Sequence, residues 1–422
     1  MSRRLVIVVR ADPVICGHSG EARNLAEVAI RQGFDDVRIV TWPLATLQAS
    51  GLPLKPLDTV LPYSPGIVVE RPEGVGDYRV PDGRVVEGIT GRLVELFTDG
   101  VPTVALSLYL TPHTTAVVSA LAAARATGLP VDVTTIAEAV GSDITNVVRS
   151  CVDSGRFGAA AHLLAAYLAN DRCVAVSAFT REMILDAAAE LDSVHGTTFA
   201  PQCEARISIS YPAIDAGAYI ALDPRDTATV LGRRGLVDGG YVLFLSRLTK
   251  AKGVNDLINA YARSRARHDV QLVIAGNGPE AVALRAQAAT SGAGDRIVFL
   301  DDVSDADKPH LMAGCAAFVL PSKPRPEFVE TFGIALAEKM LAGGGPVITC
   351  ATGGILEAVG DTAVLVPPGS AHALCEALDH VVGGMTPAER TRREVAARQY
   401  AMRFDREQVF ANLFASLTPA PA

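Results

Sequence analysis

The stretch YVLFLSRLTKAKG, residues 241–253, is an apolar run of strand length that breaks into a loop bearing Arg247 and Lys252, with Gly253 beside it. It opens a series. VQLVIAGNG (270–278), DRIVFLDDV (295–303), CAAFVLPS (315–322), GPVITCA (345–351) and DTAVLVPP (361–368) repeat the form, and a helical stretch follows each. Short runs that are apolar throughout, alternating with helices, mark a parallel sheet covered on both faces. The first half carries the same pattern in RRLVIVVR (3–10), DVRIVTW (36–42), VPTVALSLYL (101–110), LPVDVTTI (129–136) and DRCVAVS (171–177), with helices such as EARNLAEVAIRQGF between them. The sequence therefore predicts an α/β protein of two Rossmann-like domains in tandem, with parallel sheets facing across a cleft. A strand ends at Pro212 within RISISYPAIDAGAY (206–219), which gives domains 1–212 and 213–395. Segment 396–418 reads as amphipathic helix packing back on the first domain, and the terminal TPAPA as frayed. Residues 43–100, with many Pro and Gly, read as a loop-rich insertion or a strand or two.

Length agrees, since 422 residues exceed one ordinary core. The net charge of -8, with no local Lys/Arg cluster, argues against a nucleic-acid surface. Seven scattered cysteines, without CxxC or a Cys/His cluster, favour neither a disulfide framework nor a zinc site, so a reducing cytoplasm is the expected setting. The opening MSRRLVIVVRADPV meets Arg10 and Asp12 too soon for a signal peptide. No window reaches the ~18 apolar residues of a membrane span. Only six of the 38 basic residues are lysines, which makes each lysine noticeable.

Ligands of open α/β sheets bind beyond the carboxyl ends of the strands, and three loops stand there in the second half. In SRLTKAKG, Arg247 and Lys252 suit a diphosphate, one by forked donation and the other as a point charge. Read alone, this loop is more simply a solvated basic turn. In AGNGPE (275–280), Gly276 and Gly278 either let the backbone approach a ligand or form a plain turn. The third loop, PSKPRPEFVETFGIALAEKMLAGGGPV (321–347), starts a helix near Phe332 and Gly333, where free N–H groups and the dipole favour an anion. Glu330 precedes that end and Glu338 lies within, a rise of about 7.5 Å from Gly333, comparable to the reach from a pyrophosphate to its ribose. Glu338 falls on the inward side, where a carboxylate needs donors. A ribose diol supplies two; an Arg or backbone N–H partner, with Glu330 as a cap, is the alternative. Glu327 reads as outside the site.

Taken in this order, each after a strand, SRLTKAKG, IAGNGP, VLPS, ETFGIALAE and TGGILEAVGD resemble the carboxyl-terminal domain of the family 4 retaining glycosyltransferases of GT-B architecture. The likeness is strong over 240–370 and weaker elsewhere. It implies that Glu330 and Glu338 are the family's E-x7-E pair. It further implies that Arg247 and Lys252 hold the diphosphate and stabilise the departing nucleoside diphosphate, that Glu330 with the N–H groups of Phe332 and Gly333 grips the donor sugar, and that Glu338 takes the ribose. The implied partners are a nucleotide sugar of UDP or GDP type as co-substrate and a small-molecule acceptor. No other cofactor and no metal are expected; a homodimer is left open.

The first domain would hold the acceptor. CGHSGEARNLA (16–26) fits the family's glycine-bearing loop, with Gly17 and Gly20 near the donor phosphates and His18 as a contact, and LTPHTTA (110–116) puts His113 at a strand end. TTIAEAVGSD (134–143) departs from the family pattern, since Glu138 stands where relatives often have His. A carboxylate there suits an amine- or sulfur-bearing acceptor of natural-product biosynthesis, or a base; an alignment off by one residue makes it a surface charge instead. Three other readings share the architecture. A nucleotide-sugar 2-epimerase lacks the E-x7-E and RxxxxK combination, a phosphorylase needs a lysine for pyridoxal that has no obvious candidate here, and a silent nucleotide-sugar-binding subunit would keep the fold without turnover.

Overall fold

The computed structural model describes residues 3–77, 79, 83–326 and 328–415. The terminal TPAPA and Glu327 lie outside the described residues. Two compact units are present: the first runs to Ile214 and takes in the segment that begins at Arg406, and the second is Asp215–Asp405. The return to the first unit thus starts at Arg406 rather than at residue 396. Helix Pro387–Ala401 stays with the second unit, whereas helix Arg406–Phe414 buries Val409, Phe410, Leu413 and Phe414 in the core of the first. Phe410 stacks on Phe414 at 4.2 Å and meets the edge of Phe34 at 6.2 Å. Four such side chains are worth about 1.5–3 kcal/mol each when buried, enough to anchor a nine-residue helix.

The first unit is a seven-stranded parallel sheet of β1 (Arg4–Val8), β2 (Asp36–Val40), β3 (Ile67–Glu70), β4 (Thr103–Leu108), β5 (Val133–Ala139), β6 (Arg172–Ala175) and β7 (Ile207–Ile209), in the order β3-β2-β1-β4-β5-β6-β7. β1 is buried along its whole length because helices cover both faces, and its register sets Leu5 beside Val37 and Val104. Among the described residues of 43–100 there is one strand, β3, as the sequence allowed, and in addition two α-helices, Leu44–Ala49 and Arg84–Thr98. β5 begins and ends later than its apolar run, so Glu138 is a strand residue rather than a loop residue.

The second unit repeats the design with six parallel strands: β8 (Tyr241–Leu245), β9 (Gln271–Ala275), β10 (Ile297–Leu300), β11 (Ala317–Leu320), β12 (Val347–Cys350) and β13 (Val364–Val366), in the order β10-β9-β8-β11-β12-β13. In both sheets the winding reverses direction, between β1 and β4 and between β8 and β11. At such a reversal the flanking connections go to opposite faces and leave a crevice at the carboxyl ends. Among the described residues no helix is long and apolar enough to cross a membrane. None of the seven cysteines forms a disulfide.

Candidate functional site

The second unit's crevice is built from the loops after β8 and β11. Lys252 ends the 3-10 turn Lys250–Lys252, and Gly253 follows at φ +69°. A Cβ on Gly253 would lie 2.2 Å from the carbonyl oxygen of Pro321, so glycine there lets the β8 loop press against the β11 loop. Lys323 N–H closes the same contact on the Ala251 carbonyl at 2.8 Å. This approach brings the Lys252 ammonium onto Oε2 of Glu330, which also accepts from Ser322 Oγ at 3.3 Å. Lys252 Nζ stands 4.8 Å from the Phe328 ring centre. Arg247, by contrast, is exposed, and among the described residues no hydrogen bond or ion pair holds its guanidinium. The loop therefore presents Lys252 paired with a carboxylate and Arg247 open beside it, with Lys250 also exposed between them.

Helix Ile334–Ala342 begins after Gly333, whose φ of +95° suits glycine. Phe332 anchors that start by packing edge-on against Phe404 at 4.9 Å. The TGG turn supports it from behind: the Gly354 N–H donates to the Glu330 carbonyl at 2.9 Å, and a Cβ on Gly353 would stand 2.0 Å from the same oxygen. Among the described residues Glu338 meets neither an arginine nor a backbone N–H. Its Oε1 accepts from Tyr219 Oη and from Lys308 Nζ, both at 2.7 Å. Sequence reasoning missed both donors; the scarcity of lysine was the only signal for Lys308, and nothing in the spacing joins 219, 308 and 338. Of the remaining lysines, Lys339 is buried and donates to the Met312 carbonyl at 2.9 Å and to the Gly343 carbonyl, a purely structural task.

Gly276 and Gly278 have a structural task of their own. At Gly276 the close approach is to the protein's own backbone, since a Cβ would lie 2.1 Å from the Ser246 carbonyl oxygen; at Gly278 it would lie 2.4 Å from that of Leu248. The two glycines let the β9 loop seat the segment that carries Arg247, with Leu248 N–H bonded to Asn277 O at 2.8 Å.

In the first unit the crevice is lined from β1, β4 and β5. Gly17 opens helix Gly17–Arg31 and is exposed, and His18 lies 5.8 Å from the Tyr109 ring. Gly20 meets nothing within 4 Å of a built Cβ. Tyr109, just beyond β4, has φ +102°, strain of the kind that concentrates at functional sites. His113 is wholly buried between Trp42 at 4.7 Å and Tyr109 at 5.9 Å, inside the unit rather than on its surface. Neither ring nitrogen makes a well-formed hydrogen bond to a described residue, and burial, with the Arg10 charge, lowers its pKa.

Glu138 is 0% exposed, which removes the surface-charge reading. Its carboxyl meets that of Glu21, on helix Gly17–Arg31. Neither Glu138 oxygen has a donor among the described residues, so the contact is a hydrogen bond only while one of the two carboxyls keeps a proton. Burial and the Glu21 charge raise Glu138 well above the ordinary carboxylate range, and burial pushes Glu21 up to about 7 although it accepts from Ala213 N–H at 3.1 Å. Asp143 is raised to about 6 by burial, against backbone donors Leu110, Val140 and Gly141. Glu21 and Asp143 escaped the sequence reading, because burial of a carboxylate leaves no local pattern.

Residues 235–398 match the family model described as Glycosyl transferases group 1. The GDP-mannose-dependent alpha-(1-6)-phosphatidylinositol monomannoside mannosyltransferase of Mycolicibacterium smegmatis is 29% identical over 195 residues, 45% of this chain and 50% of that protein. The alpha-D-kanosaminyltransferase of Streptomyces kanamyceticus is 29% identical over 189 residues, 42% and 47% of the two chains. The match thus spans about half the length of each of these relatives. Anabaena HepE, solved in complex with UDP-glucose, superposes with a TM-score of 0.69 at 19% identity over 98% of this chain and 99% of its own. The second unit thus carries a stretch that matches the group 1 glycosyl transferases, and the chain as a whole shares the two-unit α/β GT-B fold.

Proposed function

We propose that this chain moves a glycosyl group from a nucleoside diphosphate sugar to a small-molecule acceptor, with retention at the anomeric carbon. The observation that carries the reading is the grouping, at the winding reversal of the second sheet, of open Arg247, the Lys252–Glu330 pair and Glu338 on the helix that starts at the same place. Negative charge builds on the diphosphate oxygen as it leaves, and cations fixed beforehand stabilise that state more than the ground state. Arg247 and Lys252 supply this charge without a metal. Glu330 accepts from donor sugar hydroxyls through the oxygen that Lys252 and Ser322 leave open, and the acceptor attacks from the face that the diphosphate leaves. GDP-mannose dependence in one relative and UDP-glucose in the structural neighbour keep both UDP and GDP donors in view.

The acceptor belongs to the first unit. A small polar metabolite bearing an amine fits best, since a cation offsets the cost of ionising the buried Glu21–Glu138 pair. The free thiols suit the cytoplasm. Thermal-shift titration with UDP, GDP, ADP and TDP identifies the donor base through stabilisation by mass action. Release of nucleoside diphosphate on adding amine-bearing acceptors then tests transfer, with EDTA present to test independence from metal. Nucleotide binding with no release for any acceptor would favour the silent binding subunit, a reading that the burial of Glu138 keeps in play.

A further inference from the structure

We propose that Tyr219 and Lys308 are positioning residues that aim the Glu338 carboxylate at the ribose of the donor; this rests on the reading of Glu338 as the ribose ligand. Three helices, Ala216–Ile220, Asp307–Ala313 and Ile334–Ala342, pack on one another, and each contributes one member of the group. Both donors fall on Oε1 at 2.7 Å, and Lys308 Nζ also stands 5.6 Å from the Tyr219 ring centre. Two anchors on one oxygen fix the plane of the carboxylate. Among the described residues no donor reaches Oε2, and the side chain keeps 13% exposure, so the second oxygen stays open to a ligand.

Tyr219 is almost wholly buried and its phenol is held protonated by burial and the adjacent carboxylate, which makes it a donor to Glu338 under all ordinary conditions. A glutamate free in solution spreads over many rotamers; one already pinned binds a diol without that ordering cost. Glu330 follows the same plan, with Lys252 and Ser322 both on Oε2. Each carboxylate of the pair thus has one oxygen tied by a lysine and a hydroxyl and the other left open.

The test is calorimetric titration of the full chain with UDP and GDP and with their 2′,3′-dideoxy counterparts, reading the ratio of the two dissociation constants. A carboxylate that accepts from the ribose gives a ratio of about 10 to 100, the range of one hydrogen bond to a charged group. Glu338→Ala brings the ratio near one. Tyr219→Phe and Lys308→Met lower it at least threefold while leaving the dideoxy affinity unchanged, and Lys308→Arg recovers part of it. If the Tyr219 and Lys308 variants keep the wild-type ratio while Glu338→Ala loses it, the positioning role is wrong and the ribose reading stands. Equal weakening of both nucleotides also overturns the proposal, since it marks a merely structural role. If Glu338→Ala itself keeps the ratio, the underlying reading fails.

Discussion

Replacing Glu138 by Gln tests the first unit's acidic crevice through stability, independently of any substrate. In the folded chain burial holds protons on Glu21 and Glu138 well above the ordinary value of 4.5, with Glu21 at about 7 and Glu138 raised further by its neighbour. The unfolded chain gives up both protons near 4.5. Stability from this pair is therefore fully present below pH 4.5 and is lost as pH rises through the folded values. Above pH 4.5 the folded state keeps protons that the unfolded state releases, so stability falls as pH rises. Gln takes the Glu138 proton out of this balance, so the variant loses stability less steeply than wild type. A difference of one proton is worth on the order of 1 kcal/mol per pH unit, or a few °C per unit in the melting temperature. Asp143, raised to about 6, adds a loss of the same sign, and His113, lowered by burial, adds a gain; both occur in both proteins and cancel in the comparison. The assay is thermal unfolding of wild type and Glu138→Gln at half-unit steps from pH 4.5 to 8. Parallel curves would mean that Glu138 holds no proton in the folded chain, and the argument for a cation-seeking crevice would go with it.

Two further substitutions probe the second unit. Gly353→Ala places a Cβ 2.0 Å from the Glu330 carbonyl oxygen at φ +56°, and is expected to cost about 2 to 4 kcal/mol in urea unfolding and to weaken nucleotide binding through Glu330; Gly383→Ala, with nothing within 4 Å, stays within about 0.5 kcal/mol. Arg247→Met removes an exposed cation, so its melting temperature should stay close to wild type while the rate of nucleoside diphosphate release falls about 10²- to 10³-fold, the scale of one lost transition-state donor.

Much of the second unit could be read directly. β8, its basic loop and the helix after Gly333 are local features: an apolar run, a glycine that permits positive φ, and charges at short spacing. The order of strands and loops was enough to predict two parallel units, because a run apolar on both faces has no stable place except between two helical layers. The insertion at 43–100 and the end of β5 were harder, since β3 is an outer strand of the sheet and Glu138 breaks the apolar run from within.

Tertiary packing alone decided who partners whom. Residues 252, 322 and 330 meet because Gly253 admits the Pro321 carbonyl, and 219, 308 and 338 meet because three short helices converge. The glycines of AGNGP look from sequence like a ligand cradle, yet their space is filled by the SRL loop. Glu138 shows the limit most clearly: its chain position says carboxylate after a strand, but whether that carboxylate is charged depends on burial and on Glu21, 117 positions earlier in the chain. Sequence determines local geometry and the residues available; burial and long-range contact determine their protonation and their aim.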